Sequence, residues 1–326
     1  MGAPPKVPAG EIAVDLAAIR AAHARIAPYI RRTPVLSSEA LDSEAGATLF
    51  FKCENLQKIG AFKARGACNA VLSLSDSEAA RGVVTHSSGN HGAALAWAAH
   101  DRGIPAWIVM PKSAPAVKQD AIRSFGATIR FCEHTVAARE QACAAVQAET
   151  GATLVHPYND WRVIAGQGTA ALELLDEVPE LDAVVAPVGG GGLLSGTAIA
   201  AKALKPSIKV YGAEPAGADD AVQSLRLGRI VPQTDPRTIA DGLRSSLGEK
   251  TFAVISALAD GIATASEEGI VRAMRLTWEK LKVVIEPSAA VPLAALLEGS
   301  LQLRGLRVGV ILSGGNVDLQ RLPWQA

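Results

Sequence analysis

The chain of 326 residues is 49% hydrophobic but only 4% aromatic, and its 32 basic residues balance 32 acidic ones. This is enough apolar material for a large core divided between two lobes. Formal neutrality offers no footprint for nucleic acid or a charged membrane surface, and no apolar run approaches a membrane span, so the expected partner is a small substrate.

The opening stretch Met1-Gly2-Ala3-Pro4-Pro5-Lys6-Val7-Pro8 lacks the apolar centre of a signal peptide and reads as a loose, proline-rich tail. Cys53, Cys68, Cys132 and Cys143 show no Cys-x-x-Cys spacing, so packed, reduced thiols in a cytoplasmic protein are expected. The first segment with chemical content is Gly60-Ala61-Phe62-Lys63-Ala64-Arg65-Gly66-Ala67, where the chain turns from loop into helix. Lys63 has Ala61, Phe62, Ala64, Ala67 and Ala70 around it, surroundings that disfavour an ammonium and leave a neutral, nucleophilic amine. That is the property of a Schiff-base lysine; the alternative is a snorkelling lysine at a helix start.

An apolar run at Arg81 to Thr85 then leads into Thr85-His86-Ser87-Ser88-Gly89-Asn90-His91-Gly92 and an alanine-rich helix from Ala93. Hydroxyls, an amide and backbone N–H groups at a helix start suit a carboxylate such as that of an amino acid, which makes Ser87, Ser88, Gly89, Asn90 and His91 candidate substrate contacts. A helix cap would account for one of these residues, and His91 receives no acid–base role. Further apolar bursts at Ile104 to Met110, Thr128 to Cys132, Val184 to Val188, Lys209 to Ala213 and Arg307 to Leu312 alternate with helical stretches, which predicts α/β architecture with parallel sheets.

Gly189-Gly190-Gly191-Gly192 lies between the burst Val184 to Val188 and Leu193-Leu194-Ser195, a strand, glycine loop and helix start that suits a phosphate. It matches neither Gly-x-Gly-x-x-Gly nor a P-loop, so a dinucleotide enzyme loses its main support. Glu214-Pro215-Ala216-Gly217-Ala218-Asp219-Asp220 is either an acidic loop or a site for a hard divalent cation.

Taken with Ser313-Gly314-Gly315-Asn316, these segments resemble the fold-type-II pyridoxal-phosphate enzymes, specifically the serine/threonine dehydratase and serine racemase family, over about Thr33 to Trp324. The resemblance implies a two-lobed, tryptophan synthase β-like fold, with residues 1–80 plus 160–326 as a large cofactor domain and 81–159 as a small inserted one. It also implies a homodimer. Lys63 resembles the lysine that carries the cofactor, Phe62 its ring-packing neighbour and Asn90 the partner of the phenolic oxygen. Gly189, Gly190, Gly191, Gly192 and Leu193 resemble the phosphate cup, and Ser313 the residue facing the pyridine nitrogen. In the family's metal-binding members a similar loop holds the cation, so Glu214, the Ala218 carbonyl and Asp220 would bind Mg²⁺, Mn²⁺ or Ca²⁺.

The implied reaction is dehydration of a β-hydroxy amino acid, of the serine, threonine, 3-hydroxyaspartate or phenylserine type, to a 2-oxo acid and ammonia. A neutral serine at the ring nitrogen weakens the electron sink and favours elimination over transamination. Lys63 and Ser88 resemble the two catalytic groups on opposite faces of the substrate, so amino-acid racemisation stays open, as does β-replacement. A cofactor-free binding protein is disfavoured by the retention of Lys63 and every cup residue. The chain departs from the usual pattern at Ala61 and Ala93, where family members commonly have Ser and Gln, and a larger side-chain pocket is one consequence. Arg139 resembles a family arginine able to meet a second carboxylate, although a solvated helix arginine is the alternative. Little sequence follows Ser313, so feedback control through a C-terminal regulatory domain is not expected.

Overall fold

The computed structural model describes residues 12–325, the side chains at 117 and 136 excepted. Ten strands form among them: β1 (Val35–Leu36), β2 (Thr48–Cys53), β3 (Val83–His86), β4 (Ala106–Pro111), β5 (Thr128–Cys132), β6 (Thr153–Leu154), β7 (Ala183–Pro187), β8 (Lys209–Pro215), β9 (Gly261–Ala265) and β10 (Arg307–Leu312). They make two sheets, ordered β1-β2-β10-β7-β8-β9 and β5-β4-β3-β6. Every pair is parallel except β1 with β2. Parallel pairing requires crossover connections, and the intervening helices supply them while covering the sheets. β7 is accordingly buried at every position, whereas β9, at an edge, is fully buried only at its last residue.

Side-chain alternation along the strands separates two cores. Val185, Val308 and Val310 face one way with Leu49, Phe51 and Leu293, and Val184, Ala186, Val210 and Ile311 face the other. In the smaller sheet Val83, Ile108 and Met110 pack with Leu95 and Ala98 of the helix Asn90–Arg102.

Sheet order also explains how distant motifs meet. β2, β10 and β7 lie side by side and run the same way, with Leu312 opposite Cys53 and Val310 opposite Val185. Their C-terminal ends therefore open on one rim, the usual ligand edge of a parallel sheet. The segments that follow those ends carry Lys63, Ser313 and the glycine loop respectively.

The lysine helix, Lys63–Leu72, packs on the helix Trp161–Glu177 at backbone contact, since a Cβ on Gly166 would fall 2.6 Å from the Gly66 Cα. Beside this crossing sits a buried ion cluster. Arg65 donates to both carboxylate oxygens of Glu54 and of Glu173, and Lys52 donates to Glu173 at 2.7 Å.

Several sequence expectations shift. The first apolar run is displaced, because Arg81 ends the helix Asp76–Arg81, Gly82 caps it, and the strand begins at Val83. The alanine-rich helix starts at Asn90 rather than Ala93. β1, β2, β6 and β9 carried no anticipated signal. The four cysteines are free, and no described helix is long and apolar enough to cross a membrane. The proline-rich tail lies outside the described residues.

Candidate active site

The loop before Lys63 is pinned to the segment after β10. Phe62 N–H donates to the Ser313 carbonyl at 2.9 Å, Gly315 N–H donates to the Gly60 carbonyl at 2.9 Å, and Ala61 bridges Gly314. Ile59, at φ 54°, is held in the left-handed region at a cost of roughly 1–2 kcal/mol. Asn316 Nδ2 donates to its carbonyl at 2.8 Å and contributes to holding it there. Ala61 is fully buried in this arrangement, whereas Ala93 is half-buried.

Lys63 Nζ, at the start of its helix, donates to the Pro157 carbonyl at 2.7 Å and lies 5.1 Å from the centre of the Phe62 ring. Burial lowers its pKa to about 8, so a substantial fraction of the amine is neutral near physiological pH.

Ser87, Ser88, Gly89 and Asn90 follow β3 and are all half-buried. Ser87 Oγ accepts the Gly89 N–H at 3.3 Å. Because Asn90, His91 and Gly92 form the first helical turn, their N–H groups have no intrahelical acceptor and suit an anion. The His91 ring turns into the core, with Nε2 3.1 Å from the Val155 carbonyl, and burial holds its pKa well below the usual histidine value. What His91 offers a ligand is therefore its backbone N–H.

The Asn90 amide donates through Nδ2 to Glu286 Oε1 and Oε2 at 2.9 and 3.2 Å, and its Oδ1 accepts from Asn316 Nδ2 at 2.9 Å. Burial, reinforced by Asp241, pushes Glu286 up to about 7. Sequence reasoning passed over Glu286; the available signal was a single carboxylate between the apolar run Val283-Val284-Ile285 and Pro287, which starts the helix Pro287–Leu297.

The glycine loop joins β7 to the helix Gly192–Leu204, with Gly191 at φ 86°. A Cβ on Gly190 would fall 2.1 Å from Tyr158 Cδ1 and one on Gly192 would fall 3.0 Å from Tyr158 Cβ, so the Tyr158 ring occupies the space a side chain at 190 would need, and the Tyr158 Cβ and backbone crowd that at 192. The result is a bare backbone cradle at a helix N-terminus, which suits a phosphate. A weakly basic lysine and this cradle share one rim, and Ser313, buried, lies between them at the end of β10. The residues present fit pyridoxal phosphate.

Arg139, half-buried on the helix Val136–Thr150, has an Nε buried with no partner, and its charge reaches His86.

Glu214, on β8, accepts N–H groups from Ala221 and Val222 at 3.2 and 2.7 Å, and burial raises its pKa to about 8. Asp220 is raised to about 6 by burial, and its Oδ2 is buried without a partner. Among the described residues no three His, Cys, Asp or Glu side chains converge on a metal position. Two carboxylates and a carbonyl are nevertheless oxygen donors of the kind a hard cation takes, and the free Asp220 oxygen fits that use.

Comparison with known proteins agrees with this geometry. A family model described as "Pyridoxal-phosphate dependent enzyme" matches residues 26–314. A serine racemase of Arabidopsis thaliana is 55% identical over 95% of this chain and 95% of its own length. A beta-hydroxyaspartate dehydratase of Paracoccus denitrificans is 54% identical over 93% of this chain and 96% of its own. The solved structure of maize serine racemase superposes with a TM-score of 0.92 at 50% identity, covering 94% of this chain and 95% of that one.

Proposed function

Because this chain belongs to the family of pyridoxal-phosphate-dependent enzymes, we propose that it is an ammonia-lyase that dehydrates a β-hydroxy amino acid to a 2-oxo acid and ammonia. The observation that carries the reading is Lys63, whose pKa burial lowers to about 8, on the same rim as the glycine cradle. Pyridoxal phosphate, when bound, supplies the electron sink that makes a Cα proton removable. Phe62 would pack beside its ring, Asn90 would meet its phenolic oxygen, and Gly189, Gly190, Gly191, Gly192 and Leu193 would hold its phosphate through backbone N–H groups.

Lys63 Nζ is the base that takes the Cα proton from one face. The N–H groups and hydroxyls of Ser87, Ser88, Gly89, Asn90 and His91 hold the substrate carboxylate. Ser313 would meet the ring nitrogen with a neutral hydroxyl, which would bias the outcome toward loss of the β-hydroxyl. Among candidate substrates 3-hydroxyaspartate is favoured, on two grounds: the unpartnered Nε of Arg139 and a relative at 54% identity named for that reaction.

Racemisation is the second reading, supported by relatives named serine racemase and by Ser88 as the proton donor on the opposite face. Glu214, the Ala218 carbonyl and Asp220 are proposed to bind Mg²⁺, Mn²⁺ or Ca²⁺. Residues 81–159, which contain β3 to β6, are proposed as the small lobe closing on the rest. A cytoplasmic homodimer completes the reading. It is supported by three exposed apolar side chains, Tyr29, Leu56 and Val284, on segments linked by Arg31–Leu56 and Asn55–Val284 hydrogen bonds.

Borohydride reduction of the holoenzyme followed by peptide mapping should place the cofactor on Lys63; a label on any other lysine overturns the assignment. A keto-acid assay across serine, threonine, 3-hydroxyaspartate and phenylserine stereoisomers, with sulfide incorporation as the test for β-replacement, identifies the reaction. Ser88→Ala should abolish racemisation while leaving part of the elimination from the L-enantiomer, and equal loss of L- and D-elimination would refute the two-face assignment.

A further inference from the structure

The turn 156–159 touches three parts of the site within consecutive residues. The Pro157 carbonyl accepts from Lys63 Nζ at 2.7 Å, Tyr158 packs its ring on Gly190 and its Cβ and backbone on Gly192, and Asn159 Oδ1 accepts the Lys250 N–H at 2.9 Å at the start of the helix Glu249–Leu258. Yet this turn belongs to neither a helix nor a strand, and no backbone–backbone hydrogen bond closes it among the described residues. Its internal bonds come from one side chain: His156 Nδ1 accepts the N–H of Tyr158 at 3.3 Å and that of Asn159 at 2.9 Å.

We propose that His156 is a positioning residue, whose Nδ1 acts as the acceptor around which the turn folds and thereby aims the Pro157 carbonyl at Lys63 and the Tyr158 ring at the glycine loop. The proposal rests on the reading of Lys63 as the cofactor-bearing lysine. Two N–H donors converging on Nδ1 require that nitrogen to be unprotonated, so the ring proton resides on Nε2. The ring plane is fixed independently by edge contacts, with His86 at 5.3 Å and 83° and with Tyr158 at 4.5 Å and 88°.

The electrostatics keep Nδ1 available. Burial pushes the His156 pKa down to about 3, and the charged or titratable groups facing it are His86, Lys63 and Lys250, which oppose protonation, and Asp160, which favours it. The acceptor thus persists across the physiological range, and the turn does not switch with pH there. Its function is static: the Tyr158 and Asn159 N–H groups are paired by one imidazole, and the Pro157 carbonyl just before them is left free for the lysine.

The test exploits side-chain length. Asparagine places Oδ1 the same number of bonds from Cα as Nδ1, whereas glutamine is equally polar but places its oxygen one carbon further out. Two quantities are measured on cofactor-free His156→Asn and His156→Gln proteins. One is the dissociation constant for pyridoxal phosphate, by fluorescence titration. The other is the apparent pKa of Lys63, from the pH dependence of its labelling by an amine reagent read by mass spectrometry.

His156→Asn should stay within about threefold of the parent affinity, less than the tenfold that 1.4 kcal/mol represents. His156→Gln should weaken binding about tenfold, the effect of leaving two half-buried N–H groups without their acceptor, and should raise the Lys63 pKa as water reaches the amine. Equal behaviour of the two variants, whether both intact or both impaired, overturns the proposal. Failure of the Lys63 reading itself is separately visible, as borohydride labelling of another lysine in the unmodified protein.

Discussion

Replacing Arg65 with methionine removes five hydrogen bonds at once, to Glu54, Thr169 and Glu173, at 2.7 to 3.1 Å. What remains is two carboxylates, Glu54 and Glu173, facing the single ammonium of Lys52, all at 2% exposure or less. An uncompensated buried charge of this kind costs about 3–5 kcal/mol. Arg65→Lys keeps the charge but cannot address two carboxylates with a planar fork, and should cost about 1–3 kcal/mol. Combining Arg65→Met with Glu173→Met leaves the charges of Glu54 and Lys52 balanced, with Glu54 still held by Thr33 and Lys52 by the Thr33 carbonyl, so the double variant should be more stable than Arg65→Met alone.

The measurement is urea denaturation of the cofactor-free protein, followed by far-UV circular dichroism and tryptophan fluorescence. Trp161, at the start of the helix that carries Glu173, is well placed to report. The cluster also sets an acid limit. Burial opposes ionisation of Glu173, but hydrogen bonds from His23 and Arg65 and the charge of Lys52 outweigh it and hold the carboxyl below the usual range. A carboxyl depressed on folding contributes stability above its unfolded pKa of about 4.3 and loses it as pH falls through the folded value, so acid unfolding should begin below about pH 4. A loss under about 1 kcal/mol for Arg65→Met, or a double variant less stable than the single, would refute this reasoning.

Three other outcomes are expected. Gly190→Ala drives a Cβ into the Tyr158 ring and should weaken cofactor binding by about tenfold, from overpacking of 1–3 kcal/mol, with partial recovery in Gly190→Ala/Tyr158→Ala; fluorescence titration decides, and absence of recovery removes the ring as the cause. Glu286 has a folded pKa of about 7, above its unfolded value, so its contribution is present below about pH 4.3 and lost as pH rises through 7. Glu286→Gln should therefore flatten a decline in apoprotein stability of up to about 3 kcal/mol between pH 4 and 8, seen in denaturation midpoints across that range. Added Mg²⁺, Mn²⁺ or Ca²⁺ should raise the melting temperature of the protein but not that of Asp220→Asn, and an equal rise in both would place any bound cation elsewhere.

Much of the site was legible in the sequence because its central motifs are local. A glycine run after a buried strand, a lysine among alanines and a Ser-Ser-Gly-Asn helix start each declare their chemistry within a few residues, since helix N-termini and residues without a side chain behave alike wherever they occur. The long apolar runs were readable for the same reason, and β5 and β10 occupy the anticipated spans, Thr128–Cys132 and Arg307–Leu312. β1 and β6 are two-residue strands and β9 is half-exposed, so their apolar signal is too short or too weak to stand apart from loop.

The tertiary structure alone decided which distant groups complete the site. Lys63 meets a carbonyl 94 residues away, Asn90 meets Glu286 across 196, and Arg65 meets Glu173 across 108. Nothing in the local pattern around Pro157 or Glu286 names its partner, because those contacts join segments that follow β6 and β3 of the smaller sheet to segments of the larger one, whose order brings the ends of β2, β10 and β7 to one rim. Strand order depends on how all the helices cover both faces of a sheet, a property of the whole core rather than of any segment. The sequence by itself determined which groups could do chemistry; the packing of that core determined which of them meet.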